Sequence, residues 1–243
     1  MEASSVKLIF AIVLLMLSSA SHAEYCEARL PDSSSYSGNC IDGLFHGQGK
    51  LKWRDGSSYE GRFRKGLIEG QGEYVSAAGW THKGQFKDGS LNGHGVYSDP
   101  SGDHYEGEFK HGQFDGKGTY TSRNGDSCNA EFKAGLMHGK GSCRYPNNTV
   151  VNAEWKHGLL SGNGQSLMPN GDVYEGQFNN GYWNGIGTLT FSNGDIYIGE
   201  FANGQMHGQG EIKYIDGTRL YGVWKNNEYQ EEVLPEGCEV MAI

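Results

Sequence analysis

The sequence predicts an all-β chain, an elongated, twisted single sheet of tandem antiparallel hairpins. Three observations predict it. Glycine supplies 39 of 243 residues and proline only 5, a level that long helices do not tolerate, since each interior Gly costs about 1 kcal/mol relative to Ala. The segment Tyr59-Glu-Gly-Arg-Phe63 returns as Tyr105-Glu-Gly-Glu-Phe109, Tyr174-Glu-Gly-Gln-Phe178 and Tyr197-Ile-Gly-Glu-Phe201, always at a multiple of 23 residues. Asn-Gly or Asp-Gly closes most of these units (Asp55-Gly56, Asn124-Gly125, Asn170-Gly171, Asn193-Gly194, Asp216-Gly217), and that dipeptide between strands signals a tight turn.

The first element is a leader. Met1 to Lys7 carry one base, Leu8 to Leu17 are unbroken apolar residues, and Ser21 and Ala23 stand at −3 and −1 from a cleavage before Glu24. This is the pattern of a secretory signal peptide over 1–23, and the apolar run is too short to span a membrane. The expected compartment is therefore secreted or periplasmic. All five cysteines (Cys26, Cys40, Cys128, Cys143, Cys238) fall after the cleavage point, which makes them disulfide candidates with one left over.

Residues 24–35 read as an N-terminal cap, 36–227 as the repeat array and 228–243 as a C-terminal cap or tail. Full units start at Tyr36, Tyr59, His82, Tyr105, Cys128, Val151, Tyr174 and Tyr197, with a partial ninth over Leu220–Asn227. Within the unit, the fifth column is Phe or Trp in every copy but the first, where Cys40 stands, and the tenth is always apolar. The twelfth and fourteenth are Gly in all eight full units. Columns one to five alternate apolar and polar, which is a strand with one apolar face. A gap of about six residues around the eighth-column Gly is expected to turn the chain, with a second strand starting near the twelfth. Glycine on the inner face is expected where an aromatic from a neighbouring strand lies flat over it. One hairpin cannot bury its aromatic row alone, so neighbours must stack.

The pattern Tyr-x-Gly-x-Phe, then Gly, then Gly-x-Gly, closing on Asn/Asp-Gly at a 23-residue step, resembles the MORN (membrane occupation and recognition nexus) repeat family. The resemblance implies an elongated, curved, groove-bearing sheet and a scaffold role in protein or lipid contact rather than catalysis. Lipid binding ascribed to the family concerns phosphoinositides on the cytosolic side. The leader and the net charge of −9 point away from that role and from nucleic acid, both of which reward clustered Lys and Arg.

The flanks outside the array are short for an appended catalytic domain. His46, His138 and His207 share the eleventh column with Glu69, Asn92, Asp115, Ser161 and Asn184, so they read as turn residues and no metal or cofactor is expected. The carboxylates Glu60, Glu106 and Glu175, with Glu108, Glu131, Glu154 and Glu200, fall on the polar strand face, and a solvated role outweighs acid–base chemistry there. Cys128 and Cys143 stand on inward columns of adjacent strands, which predicts a bridge inside one hairpin. Cys26 and Cys40 are expected to tie the cap to the first unit, the alternative being Cys26 with Cys238. Asn147-Asn148-Thr149 is either a glycosylation sequon or an Asn-rich turn. The expected function is an exported, non-enzymatic scaffold binding a protein partner along its groove. Phe114, Met137, Trp155, Trp183 and Met206 are the candidate contact strip, unless these side chains serve only to pack the sheet. Glycan binding by exposed aromatics is the alternative, and a hydrolase comes third. Nothing in the chain sets an oligomeric state.

Overall fold

The computed structural model describes residues 23–231, which form nineteen strands and no helix in an open antiparallel sheet. Residues 1–22, on which the expected signal peptide falls, and the residues after Glu231, Cys238 among them, lie outside the described residues. The chain divides into two compact units. Unit 1 holds the residues up to Gly125 with Phe132–Leu136, and unit 2 holds Asp126–Glu131 with the residues from Met137 on. In unit 1, the strand Glu24–Arg29 pairs with Ser35–Ile41, and every later strand pairs antiparallel with its chain neighbour. The same rule runs through unit 2 to the last strand, Glu228–Glu231.

The turn inside each repeat is tighter than the sequence spacing suggests. Columns seven and eight both have positive φ, as at Lys65 and Gly66 (50° and 83°) or Asn180 and Gly181 (50° and 89°). Two consecutive positive φ values make a two-residue type I′ hairpin. The gap is therefore two residues, not about six, and the second strand begins at the ninth column, for example at Leu67 or Tyr182, not near the twelfth. Asp42-Gly43, Asp88-Gly89, Asn180-Gly181 and Asn203-Gly204 carry that signal. The N–H of the eighth-column residue then donates to the tenth-column carbonyl of the repeat before it, as from Gly66 to Phe45 (2.8 Å) and from Gly181 to Leu160 (3.0 Å), which ties neighbouring repeats at their turns.

The turn linking repeats is different. The Gly56 N–H donates to the Trp53 carbonyl (3.1 Å) and the Trp53 N–H to the Ser57 carbonyl (2.9 Å). Aspartates in the twenty-second column stitch consecutive linking turns, with Asp172 accepting from the Ser192 N–H (2.8 Å) and Asp195 from the Ile215 N–H (2.9 Å).

The core is the inner face. Tyr59, Tyr105, Tyr174 and Tyr197 are fully buried. Each ring lies along its own strand, and its hydroxyl donates to the carbonyl three residues on, Tyr174 to Gln177 (2.7 Å) and Tyr197 to Glu200 (3.0 Å). Burial pushes the Tyr174 and Tyr197 phenols up to about 12, so they remain neutral donors. The ring occupies the space a side chain would need at the paired glycines. A Cβ on Gly176 would come 2.6 Å from the Tyr174 hydroxyl, and one on Gly187 would come 2.5 Å from its ring. The ring that takes this space comes from the neighbouring strand at Gly187, as expected from the sequence, and from the same strand at Gly176.

Candidate functional site

Three of the five strip candidates are buried, and that burial removes them from any contact strip. Phe114 is stacked on Tyr105 with centroids 3.8 Å apart, Trp155 packs beside Cys128 and Cys143, and Met206 sits opposite Phe201 on the neighbouring strand; all three are under 9% exposed. The cause is the tight turn. It brings the tenth column directly opposite the fifth, so the residue expected at a bend becomes part of the aromatic layer. Met137 and Trp183 are half-buried, and Trp183 is stacked on Tyr174 at 4.4 Å.

The sulfur atoms of Cys26 and Cys40, and those of Cys128 and Cys143, stand at disulfide distance, with Cα separations of 6.0 Å and 4.1 Å. Asn147 is exposed and its side-chain oxygen accepts from the Thr149 N–H at 3.0 Å, closing the turn that Asn148 makes with φ 68°. No cluster of His, Cys, Asp or Glu among the described residues would hold a metal. His46 and His138 are half-buried and His207 is exposed beside their turns. No helix of the described residues is long and apolar enough to cross a membrane.

Polar side chains pair on the outer face of both units: Lys50 with Glu60 (3.0 Å), Arg64 with Glu69 (2.6 Å) and Gln71 with Gln85 (3.1 Å) in unit 1, and Arg219 with Glu211 (2.9 Å) in unit 2. Exposed large apolar side chains are more numerous in unit 2, where Leu159, Leu167, Tyr182, Ile186, Ile198 and Tyr221 join Ile215, against Tyr25, Leu44 and Leu136 in unit 1. Tyr182 and Ile186 project from one face of the strand Tyr182–Thr190, and Ile198 lies on the adjacent strand opposite Thr188. Their exposures are 58%, 58% and 51%. Ile186 is registered opposite Glu200 and so lies diagonal to Ile198, both in otherwise polar columns, while Tyr182 stands at the turn end of its strand near Gly204, in a ninth column that also holds Leu44, Leu67, Leu136 and Leu159. Sequence reasoning missed the pair Ile186 and Ile198, though its signal was present. Ile186 occupies the thirteenth column, where other repeats carry Gln48, Gln71, His94, Lys117, Lys140, Asn163 and Gln209. Ile198 occupies the second column, otherwise held in full repeats by Ser37, Glu60, Lys83, Glu106, Asn129, Asn152 and Glu175.

Comparison with known proteins agrees on the repeat. The family model described as MORN repeat matches residues 36–58, 59–81, 82–104, 105–127, 129–150, 153–173, 174–196 and 197–219. No curated protein matches the chain. Among solved structures, the chain is similar to the wild-type TCP10 domain of CPAP from Danio rerio, at 13% identity over 86% of this chain and 99% of that one, with a TM-score of 0.46. It is also similar to the TCP domain of SAS-4 from Drosophila melanogaster, solved in complex with a proline-rich motif of Ana2, at 11% identity over 87% and 99% of the two chains, with a TM-score of 0.37.

Proposed function

Because this chain belongs to the MORN-repeat family, we propose that it is an exported, non-catalytic scaffold that binds a protein partner through the outer face of unit 2. The observation that carries this reading is the pair Ile186 and Ile198, diagonal neighbours on adjacent strands and exposed where the repeat elsewhere places polar side chains, with Tyr182 exposed further along the strand of Ile186. Contiguous exposed apolar surface of this kind marks interaction sites, and aromatic and branched apolar residues supply the desolvated centre of protein interfaces. In unit 2 the half-buried Trp183 and Met137 and the buried Trp155 and Met206 pack the inner face of the sheet, as Phe114 does in unit 1. Two cysteine pairs at disulfide distance support an oxidising compartment, in line with the leader at 1–23.

The test is site-specific photo-crosslinking from position 186 in the host cell, followed by titration of the captured protein with the purified chain. The triple variant Tyr182→Ser/Ile186→Ser/Ile198→Ser is expected to weaken binding about a hundredfold, on the scale of two or more lost hot-spot contacts. Undiminished affinity in that variant overturns the assignment of the surface. Retention of the full-length chain in the cytosol on fractionation overturns export.

A further inference from the structure

The outer face of unit 2 carries a second feature, separate in chemistry from the exposed apolar pair. Across the strands Leu136–Arg144, Val150–Lys156, Leu159–Leu167 and Val173–Asn179 lies an open depression of about 840 Å³, within the usual size range of ligand sites. Its rim is Lys140, Asn152, Glu154, Asn163, Gln165 and Glu175. Its floor is the backbone at Gly141, Ala153, Gly164 and Gly176, four positions whose small or absent side chains leave the sheet flat.

We propose that this depression binds a neutral, hydroxyl-rich chain, an oligosaccharide lying across the strands. The proposal goes beyond the protein-partner reading and does not rest on it. Four facts carry it. First, the rim is dense in groups that both donate and accept: each of Asn152, Asn163 and Gln165 offers an amide N–H₂ and a carbonyl oxygen, and the two glutamates add acceptors. Vicinal hydroxyls need that combination.

Second, these groups are unspent. None of the six rim side chains makes a hydrogen bond or ion pair within the protein among the described residues, whereas two of the equivalent pairs in unit 1 do, Lys50 with Glu60 and Gln71 with Gln85. Lys140 stands directly opposite Glu154 in the strand register and still forms no ion pair with it.

Third, the spacing is regular. Asn152 is registered opposite Gln165, and Gln165 opposite Glu175, so one row of side chains crosses the strands at roughly 5 Å intervals. That interval is close to the advance of one pyranose ring along a glycan, which gives each sugar its own strand.

Fourth, the competing ligand classes lack what they need here. Lys140 is the one cation of the rim, against the two carboxylates of Glu154 and Glu175, so phosphate-rich polymers find no basic patch. A peptide strand finds no free edge, because each of the two central strands is hydrogen-bonded on both sides. The floor and rim offer no apolar side chain larger than Ala153, which leaves lipid chains unserved.

The experiment is a glycan microarray carrying neutral cello-, chito- and manno-oligosaccharides beside sulfated and uronic acid chains, probed with the disulfide-intact chain. The best-bound neutral tetrasaccharide is then titrated calorimetrically. Binding to a neutral series is expected, and Asn152→Ala/Gln165→Ala is expected to weaken it about tenfold or more through two lost hydrogen-bonding side chains, with the melting temperature unchanged. Lys50→Ala/Glu60→Ala, at a paired position on the outer face of unit 1, is expected to leave the affinity as it was. Absence of neutral-glycan binding, binding confined to acidic chains, or affinity insensitive to Asn152→Ala/Gln165→Ala each overturns the proposal. None of these outcomes bears on cross-linking from position 186, so the two readings fail separately.

Discussion

Repeats 6 and 7 are consecutive in the same unit and fill the same inner-face volume in different ways. In repeat 7, Tyr174 is fully buried, stacks on Trp183 at 4.4 Å and donates to the Gln177 carbonyl; the glycines at 176 and 187 leave room for its ring. In repeat 6 the first column is Val151, and the third is Ala153 where repeat 7 has Gly176. Repeat 5 shows the same exchange, Cys128 with Ala130. In repeats 5 and 6, where the tyrosine ring is gone, a Cβ stands at the third column, while repeat 3 and the partial ninth unit, with His82 and Leu220 first, keep Gly84 and Gly222. The exchange has a cost. Among the described residues the buried indole N–H of Trp155 and the hydroxyl of Ser166 have no hydrogen-bond partner, and a buried polar group left unpaired costs about 1–3 kcal/mol. In repeat 5 the Cys128–Cys143 pair fills the space of the missing ring.

If that bridge does the work of the ring, removing it gives the largest effect. Cys128→Ala/Cys143→Ala is expected to lower stability by about 3 kcal/mol for a loop of this length, read as a fall in the denaturant midpoint. A loss under about 1 kcal/mol would mean that Trp155, Met137 and Leu160, which pack around the pair, hold the region by themselves. The next effect tests the coupling directly. Gly176→Ala is expected to cost about 2 kcal/mol, because its Cβ would come 2.6 Å from both the Tyr174 hydroxyl and the Gly187 Cα of the paired strand and overpacking carries that penalty. In a Tyr174→Val background, which copies repeat 6, the same substitution is expected to cost at least about 1 kcal/mol less. Strict additivity in this double-mutant cycle breaks the link between ring and glycine.

The sequence made the period, the strand faces and the reason for the inner glycines legible, because each is a local rule repeated in register: Tyr59, Gly61 and Phe63 say the same thing as Tyr197, Gly199 and Phe201. It misplaced the tenth column because column spacing alone does not distinguish a six-residue loop from a two-residue turn between longer strands. The seventh- and eighth-column φ values decide that, and Asn180-Gly181 carries the signal more clearly than Lys65-Gly66. Phe114 and Met206 therefore looked like groove residues and are core. The outer face was harder to read because its information lies in exceptions, Ile186 and Ile198 in polar columns, and averaging over repeats hides exceptions. The unspent rim of Asn152, Asn163 and Gln165 was not legible at all, since a side chain that pairs with a neighbour and one that does not are the same letter.

Repeat 3 is the intermediate case and gives the smallest expected effect. Its first column is His82, yet its third and fourteenth columns keep Gly84 and Gly95, so a smaller ring sits where a tyrosine would fit. The imidazole lies among Tyr74, Trp80, Tyr97 and Phe109, with centroids 4.9–6.3 Å away. Burial lowers its pKa from 6.5 to about 4. Between those two values the unfolded chain takes up a proton that the folded chain does not, so stability falls as pH drops from about 6.5 and the loss levels off below about 4. Partial exposure of the ring screens the effect, leaving a loss on the order of 1–2 kcal/mol across that window. His82→Tyr restores the pattern of repeats 2 and 4 and removes the titrating group. Denaturant midpoints of the two proteins are therefore expected to diverge on going from pH 7 to pH 4.5, with the wild type losing more, while acid effects from the carboxylates cancel between them. Equal losses would show that the ring is solvated enough to take up its proton in the folded state, and that the space left by the missing tyrosine hydroxyl is filled by water.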